Sequence, residues 1–360
     1  MRILVVGAGI SGLTLTLALQ KRGIRAVLMD KSPEFDTPAT AVHLPPNAVR
    51  VLALLGVEHQ LRGMSQPVHR QIILDHEGLT LSSLSTDDIW NGVGACFNVP
   101  YGALRNLLRL ALAIQQIRLN TEVVAVSSNG RVHYRDGGHE DFDLIVGADG
   151  PQSLVRRELF DRRPRHPGLM GWHFVAKDIS GCGHDQILRV DNSGRSVLTS
   201  PLGSGRTYCY VEVDSTRVRV PQTGWQAMFA GFRYETALLL EQAENAYLAP
   251  DTGVIGTDWV RSQAVLIGDA AHPFPYGTLQ GSAMAVEDAL VLAETLMGAS
   301  TLDAALVEYQ KRRTKRVAWV AGQDQRERRF RTNPNRSRTK SAHRRAARVF
   351  AAYAQLHDMP

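Results

Sequence analysis

Residues 1–14 read MRILVVGAGISGLT, an apolar run Ile3-Leu4-Val5-Val6 leading straight into Gly7, Gly9 and Gly12. This order predicts a buried strand, a tight turn and a helix. Gly7 permits the turn, Gly9 puts no side chain between the backbone and a pyrophosphate, and Gly12 lets the helix lie close on the strand. The free N–H groups and positive dipole end of that helix suit the pyrophosphate. Glycine turns before helices are common, so the flanking sequence decides. A helical run over residues 13–22 follows, and a second apolar strand, Ala26-Val27-Leu28-Met29, ends at Asp30, eighteen residues beyond Gly12. That spacing suits an acid that takes up the ribose hydroxyls of an adenine dinucleotide.

With 360 residues and 44% apolar content, the chain has room for two domains or one elaborated domain. Cys96, Cys182 and Cys209 are odd in number and far apart, which excludes a disulfide framework or a CxxC metal site and points to reduced thiols. Twelve histidines without an HExxH motif give no metal site. No run reaches the length of a membrane span, and the N-terminus reads as a core strand with no room for a cleaved signal, so a cytoplasmic location is expected. The net charge of +6 is unevenly placed: from residue 311 onward 15 Lys/Arg stand against 3 Asp/Glu, or +12, while residues 1–310 carry 26 against 32, or −6. A mildly acidic body therefore carries a strongly basic tail. No aromatic-interleaved basic patch accompanies it, which argues against nucleic acid as a partner.

Two later stretches repeat the pattern of strand, acid-glycine turn and helix. Before them, Pro46 and Asn47 suit the start of a helix stopped by Gly56. Residues 68–99 alternate as strands of a second, antiparallel layer, 101–113 read as a helix, and 117–126 as a strand resuming the parallel sheet. The strand over residues 143–146 then runs into GADGPQSLVRREL, residues 147–159, where Asp149 and Gly150 can reach a ribose or ribityl hydroxyl and Arg156 can brace the turn. Residues 164–255 are β-like around Trp172, His173, Phe174, Tyr208, Cys209, Tyr210 and Val211, with a helical piece at 225–243. A return strand runs from Trp259 to Ile267. The last stretch, VLIGDAAHPFPYGTLQGSAMAVEDALVLAETL at residues 265–296, carries Gly268-Asp269, a Gly/Pro-rich turn, a long helix from near Gly281, and Glu287-Asp288 inside that helix.

With these three stretches in this order, the chain resembles the class A flavoprotein monooxygenases of the 4-hydroxybenzoate hydroxylase type, over about residues 1–320. GAGISG with Asp30, the DGPQSLVR turn from Asp149 to Arg156, and GDAAH from Gly268 with Glu287-Asp288-Ala289 match the family's motifs. The resemblance implies an α/β fold: a Rossmann-like FAD-binding domain (1–67, 100–163 and 256–320), a mostly antiparallel β-sheet substrate domain (68–99 and 164–255), and a basic helical C-terminal segment (321–360). It also implies noncovalent FAD, NADH or NADPH as transient electron donor, O2 activated as a flavin C4a-hydroperoxide, and hydroxylation of an aromatic or polyketide-like small molecule. The phosphates are expected on residues 7–12, the ribose on Asp30, ribityl contacts from Asp269 and Asp149, and the flavin ring under the turn of Pro275, Gln280 and Gly281. Ile10, Ser11, Lys31, Arg105, Val123, Gly268 and Ser282 complete the expected cofactor set, and a helix N-terminus near Gly281 suits negative charge on a reduced ring.

Departures from the family pattern keep two alternatives open. In ungapped register Tyr276 stands for a proline, Leu279 for the first glycine of GQG and Ala283 for an asparagine, while Tyr101 takes the place of an arginine at a helix start. The altered turn motivates a flavin-dependent, non-redox cyclase or isomerase. A plain NAD-dependent dehydrogenase would need only GAGISG and Asp30, and GDAAH argues against it. For the catalytic base, His43 and His173 are the candidates because histidine titrates near neutral pH, with satisfied or exposed histidines as the alternative. His272 is expected to hold structure. Tyr208 and Tyr210 share one strand face, as do Trp172 and Phe174; each pair either lines the substrate pocket or packs the sheet. The tail after Tyr309 reads as one helix to about Arg331, a break at Asn333-Pro334-Asn335, and a second helix from Ser341 with Val349, Tyr353 and Leu356 on one stripe. It docks on the acidic body or else meets a membrane surface or partner.

Overall fold

The Ile3–Val6 strand is the centre of a six-stranded sheet in the order Val260–Arg261, Ala264–Leu266, Leu144–Gly147, Ile3–Val6, Ala26–Met29, Ile117–Arg118. All strands run parallel except Val260–Arg261. The computed structural model describes residues 1–33, 40–113, 116–161, 168–179, 181, 183–250, 256–274, 279–331 and 353–360. Residues buried on both faces explain the continuous apolar runs that mark these strands. The helix Ile10–Lys21 packs between this sheet and the long helix Gly281–Gly298 and is buried nearly all round. Its two buried threonines satisfy their hydroxyls within the helix, Thr14 Oγ1 donating to Ile10 O at 2.6 Å and Thr16 Oγ1 to Gly12 O at 2.8 Å.

A seven-stranded sheet forms the second layer, in the order Tyr247–Pro250, Leu169–Lys177, Arg206–Asp214, Arg195–Gly203, Asp185–Val190, Arg70–Asp75, Thr80–Ser85. It is antiparallel but for the pair Asp185–Val190 and Arg70–Asp75. Strict alternation gives it two different faces. Trp172, Phe174, Cys209, Val211 and Val213 point to one side and pack with Trp225, Phe229 and Leu239; Leu198, Leu202, Tyr208 and Tyr210 point to the other and pack with Ala41.

Several expected elements are divided differently. Residues 117–126 are not one strand. Ile117–Arg118 ends the parallel sheet, Asn120 turns at φ 51°, and Val123–Val126 joins a separate three-stranded sheet with Arg131–Tyr134 and His139–Asp141. The return strand beyond Trp259 is a hairpin turning at Ser262, φ 51°. The helical piece at 225–243 is a short 3-10 turn, Trp225–Phe229, and a helix, Tyr234–Leu240. Within 68–99, only Arg70–Asp75 and Thr80–Ser85 enter the large sheet; Cys96–Pro100 is instead the middle strand of a small antiparallel sheet, between Ala41–Leu44 and Gln66–Val68. Of the two expectations for Trp172 and Phe174, the packing one describes their surroundings: Trp172 stacks on Trp225 with centroids 4.5 Å apart and both side chains lie in a core cluster.

The tail helix begins earlier than expected, spanning Leu302–Arg331, and packs on Gly281–Gly298. The break at 333–335, the Ser341 start, Val349, Cys182 and Tyr276 lie outside the described residues. Tyr353 stacks edge-on against Trp90 and Trp319, and Leu356 is fully buried, so this end of the tail docks on the body. Among the described residues no helix is long and apolar enough to cross a membrane.

A Cβ on Gly12 would stand 1.9 Å from Gly7 O. That neighbour is backbone, so the helix itself must move. Gly12→Ala is expected to destabilise the fold by roughly 1–3 kcal/mol or more. Urea unfolding of the variant beside the parent checks this.

Candidate cofactor and substrate site

The three acid-glycine turns meet at the C-terminal edge of the parallel sheet. A Cβ on Gly7, φ +105°, would strike Ala148 O at 2.5 Å and Asp149 Cα at 2.8 Å, and one on Gly268, φ +58°, would strike Ser11 at 2.9 Å. Gly7 thus lies against the backbone of residues 148–149 and Gly268 against the Ser11 side chain, approaches that a Cβ would block. The helix Ile10–Lys21 starts at Gly9 with no side-chain cap and no acid in its first turn. The helix Gly281–Gly298 starts at Gln280, also without a side-chain cap or an acid. Two sets of helix N–H groups are therefore left for an anionic ligand.

Asp30 anchors the first turn. Its Oδ2 accepts from Ala8 N at 2.7 Å and its Oδ1 from Ser32 N at 2.8 Å. Arg105, itself buried, closes the arrangement: Nε donates to Ala8 O at 2.8 Å, and a guanidinium nitrogen lies 3.7 Å from Asp30 Oδ2. Thr121 N donates to Asp30 O at 2.9 Å, which brings Val123 to the same edge. Lys31 is exposed beside Glu122. The Tyr101 hydroxyl stands 3.7 Å from where a Gly9 Cβ would lie, and burial raises its pKa against the opposing charge of Arg105.

Asp149 Oδ2 accepts from Leu154 N at 2.7 Å and Val155 N at 3.2 Å, while Oδ1 is buried with no hydrogen-bond partner among the described residues. Burial raises its pKa. Arg156 ties this turn to the next, donating to Ala270 O at 2.7 Å, to Asp269 O at 3.2 Å and to Pro151 O. The Asp269 side chain is open to solvent but surrounded by protein, as in a cleft; desolvation raises its pKa, opposed by His272 and Arg156.

Behind these turns lies a buried ionic cluster. Asp288 accepts from Gly268 N at 2.8 Å, is 2.7 Å from His272 Nε2, and takes Arg313 Nε at 2.7 Å. Burial alone would raise the Asp288 pKa, but His272 and Arg313 bring it down to about 2. Glu287 accepts from Asn47 Nδ2, Arg313 and Arg316, each at 2.7 Å. Asn47 Nδ2 also approaches Gln280 Oε1 at 3.4 Å. His272 is therefore a structural residue. Arg316 further donates to Gln355 O at 2.9 Å and Asp358 O at 3.0 Å, which pins the tail.

On the sheet face opposite Trp172, His173 Nδ1 and the Tyr208 hydroxyl are 2.5 Å apart, the Tyr210 ring lies 4.7 Å from His173, and the Tyr210 hydroxyl donates to buried Glu212 at 2.9 Å. His43 faces the same layer from Ala41–Leu44. Asn98 Nδ2 donates to Pro201 O at 3.2 Å, so Asn98 Oδ1 accepts from His43 Nδ1 at 2.9 Å and leaves Nε2 as the acceptor atom of the ring. Burial lowers both His43 and His173 to about 4, against the hydrogen bond of Asn98 at His43.

A family profile described as FAD binding domain matches residues 1–324. The chain belongs to this family. The aurachin C monooxygenase/isomerase of Stigmatella aurantiaca is 30% identical over 339 residues, 89% of this chain and 87% of its own. The 3-hydroxybenzoate 6-hydroxylase 1 of Aquipseudomonas alcaligenes is 28% identical over 347 residues, 88% and 86% of the two chains. HpxO of Klebsiella pneumoniae, solved with FAD and uric acid, shares the fold with a TM-score of 0.80 at 22% identity, over 99% of this chain and 92% of that one. This FAD-binding protein is an FAD-dependent monooxygenase with NAD(P)H as donor, which decides against the dehydrogenase and gives the non-redox cyclase no better support.

The residues present fit FAD: two uncapped helix starts, the buried Asp149 Oδ1 without a partner, and Asp269 in a cleft all await a polyhydroxylated anion. Pro275 lies outside the described residues. Sequence reasoning passed over Asn47, Asn98, Glu212, Arg313 and Arg316. The available signal was Arg313 and Arg316 three apart on one helix, matching the adjacent acids Glu287 and Asp288.

Arg313→Met leaves two buried carboxylates short of a partner and is expected to cost roughly 3–5 kcal/mol, with loss of bound flavin; calorimetry and the flavin-to-protein absorbance ratio measure both. His43 gives a pH dependence. Its value falls from 6.5 unfolded to about 4 folded, so the unfolded chain binds the proton first. Its contribution, up to about 3 kcal/mol, is complete above pH 6.5 and is lost as pH falls toward 4. Denaturation midpoints from pH 7.5 to 4.5 should drop less steeply for His43→Gln than for the parent.

Proposed function

We propose that this monooxygenase hydroxylates a small aromatic or polyketide-like acceptor seated between the cofactor turns and the face of the large sheet that bears His173, Tyr208 and Tyr210. The observation carrying the reading is the composition of that face: hydrogen-bonded polar pairs, His173 with Tyr208 and Tyr210 with Glu212, set among Ala41, Leu198 and Leu202. An apolar wall suits a ring, and the polar pairs suit its hydroxyl. The 3-hydroxybenzoate in the name of a relative is of this general kind.

In this reading residues 7–12, with Ile10 and Ser11, hold the FAD diphosphate, Asp30 with Lys31, Arg105 and Val123 the adenosine side, and Asp149, Gly268 and Asp269 the ribityl chain. Gln280, Gly281 and Ser282 hold the ring. When bound, FAD supplies the acceptance of hydride from NADH or NADPH and the activation of O2. The chain's own work is to hold the acceptor ring still, exclude water and manage one proton. Both candidate histidines are neutral at pH 7, so each can receive that proton: His43 at Nε2, and His173 through its hydrogen bond to the Tyr208 hydroxyl. The transient charge on His173 would be shared with Tyr208, and Tyr210 with Glu212 would fix the ring beside it.

The test is an anaerobic NADH and NADPH titration followed by flavin absorbance, with and without phenolic and polyketide-like acceptors. Bleaching that one acceptor accelerates, reversed by air with formation of an oxygenated product, is the expected result. A yellow protein that never bleaches, yet converts an acceptor without NAD(P)H or O2, would displace this reading. His173→Gln is expected to lower kcat about 10²-fold or more with FAD binding retained, measured as product formed per NAD(P)H oxidised.

A further inference from the structure

Six residues other than glycine hold a positive φ among the described residues: Asn91, Asn120, Asp161, Ser204, Ser262 and Leu279. Five are short polar residues at turns, where local hydrogen bonds make the left-handed conformation accessible. Leu279, at φ 55°, is the exception. A leucine gains nothing locally from this backbone, and a glycine would adopt it freely. A leucine persists in this conformation only where the structure around it holds it there.

The Leu279 side chain reaches across the molecule. Leu279 immediately precedes Gln280, the start of the uncapped Gly281–Gly298 helix on the cofactor side, yet it packs against Ala41, Leu198, Leu202, Tyr208 and Tyr210 of the opposite wall. It is only partly buried, so one side of it borders open space rather than sealed core. Backbone strain kept at such a point marks a functional constraint more readily than a folding one.

We propose that Leu279 sets the size limit of the acceptor cavity, its isobutyl group filling volume that would otherwise admit a second fused ring. The inference rests on the acceptor site argued above. Leu279 is a specificity-determining residue and takes no part in proton movement. Glycine in its place would keep the turn and open the cavity; a larger residue would shrink it.

The test compares the FAD-loaded parent, Leu279→Gly and Leu279→Phe, with phenol and 1-naphthol as probes. Binding is read as perturbation of the flavin absorbance, and turnover as oxygenated product per NAD(P)H. Relative to the parent, the glycine variant is expected to shift the ratio of Kd values at least tenfold toward 1-naphthol, and the phenylalanine variant to shift it toward phenol. FAD content should be unchanged. Leu279→Ala, which removes the volume but keeps the strained backbone, stands in for the glycine variant if that one does not fold. An unchanged ratio together with a lowered melting temperature would overturn the proposal and leave Leu279 as packing between the layers. A parent that answers to no acceptor, phenolic or polyketide-like, would overturn the acceptor site itself and this proposal with it.

Discussion

Two neighbouring buried carboxylates inside a mostly apolar helix are the constraint on which the rest of this protein depends. Glu287 and Asp288 have no exposure to water, and an unpaired buried carboxylate would cost several kcal/mol. The fold answers with Arg313 and Arg316 from the next helix, His272 and the Gly268 amide from the preceding turn, and Asn47 from a third element. Each of these bonds fixes a piece of the cofactor site. Gly268 leads directly to Asp269, His272 holds the far end of the same turn, and Asn47 approaches Gln280 where the Gly281–Gly298 helix begins. The turn from Gly268 to His272 has its shape because of this cluster.

Alternation along Leu169–Lys177 and Arg206–Asp214 gives the large sheet two unlike faces. One face is sealed by Trp172, Phe174 and their partners, and the other carries tyrosines and a histidine that satisfy one another. Desolvation then keeps His173 neutral, so the wall holds no permanent positive charge at that point.

What could be read from the sequence was local: glycine turns, the strand before each and the helix after. Gly7, Gly12, Asp30, Asp149 and Gly268 carry their meaning in a window of a few residues, because the backbone itself makes the contact. The family and the fold class followed from that. Contacts set by distant pairing could not be read the same way. Arg313 lies in a run of basic residues whose composition suggests a solvated face, and only the buried acids 25 residues earlier reveal its purpose. Trp172 and Phe174 share a face by the strand rule, but that rule does not say which layer the face meets. The break at Asn120 sits between two apolar, β-branched pieces that read as one strand, and the turn is set by the bonds of Asn120 and Thr121 to Ser32 and Asp30.

The bonds from Arg316 to Glu287, Gln355 and Asp358 also order events in time. Synthesis runs from the N-terminus, so the Gly7 turn leaves the ribosome long before the arginines that neutralise Asp288 and Glu287. Until residues 313–316 have emerged, the Gly268 turn lacks its counterions and cannot settle. A chain that stops before this helix therefore carries the nucleotide-binding motif without the arginines that pair the buried acids behind the Gly268 turn.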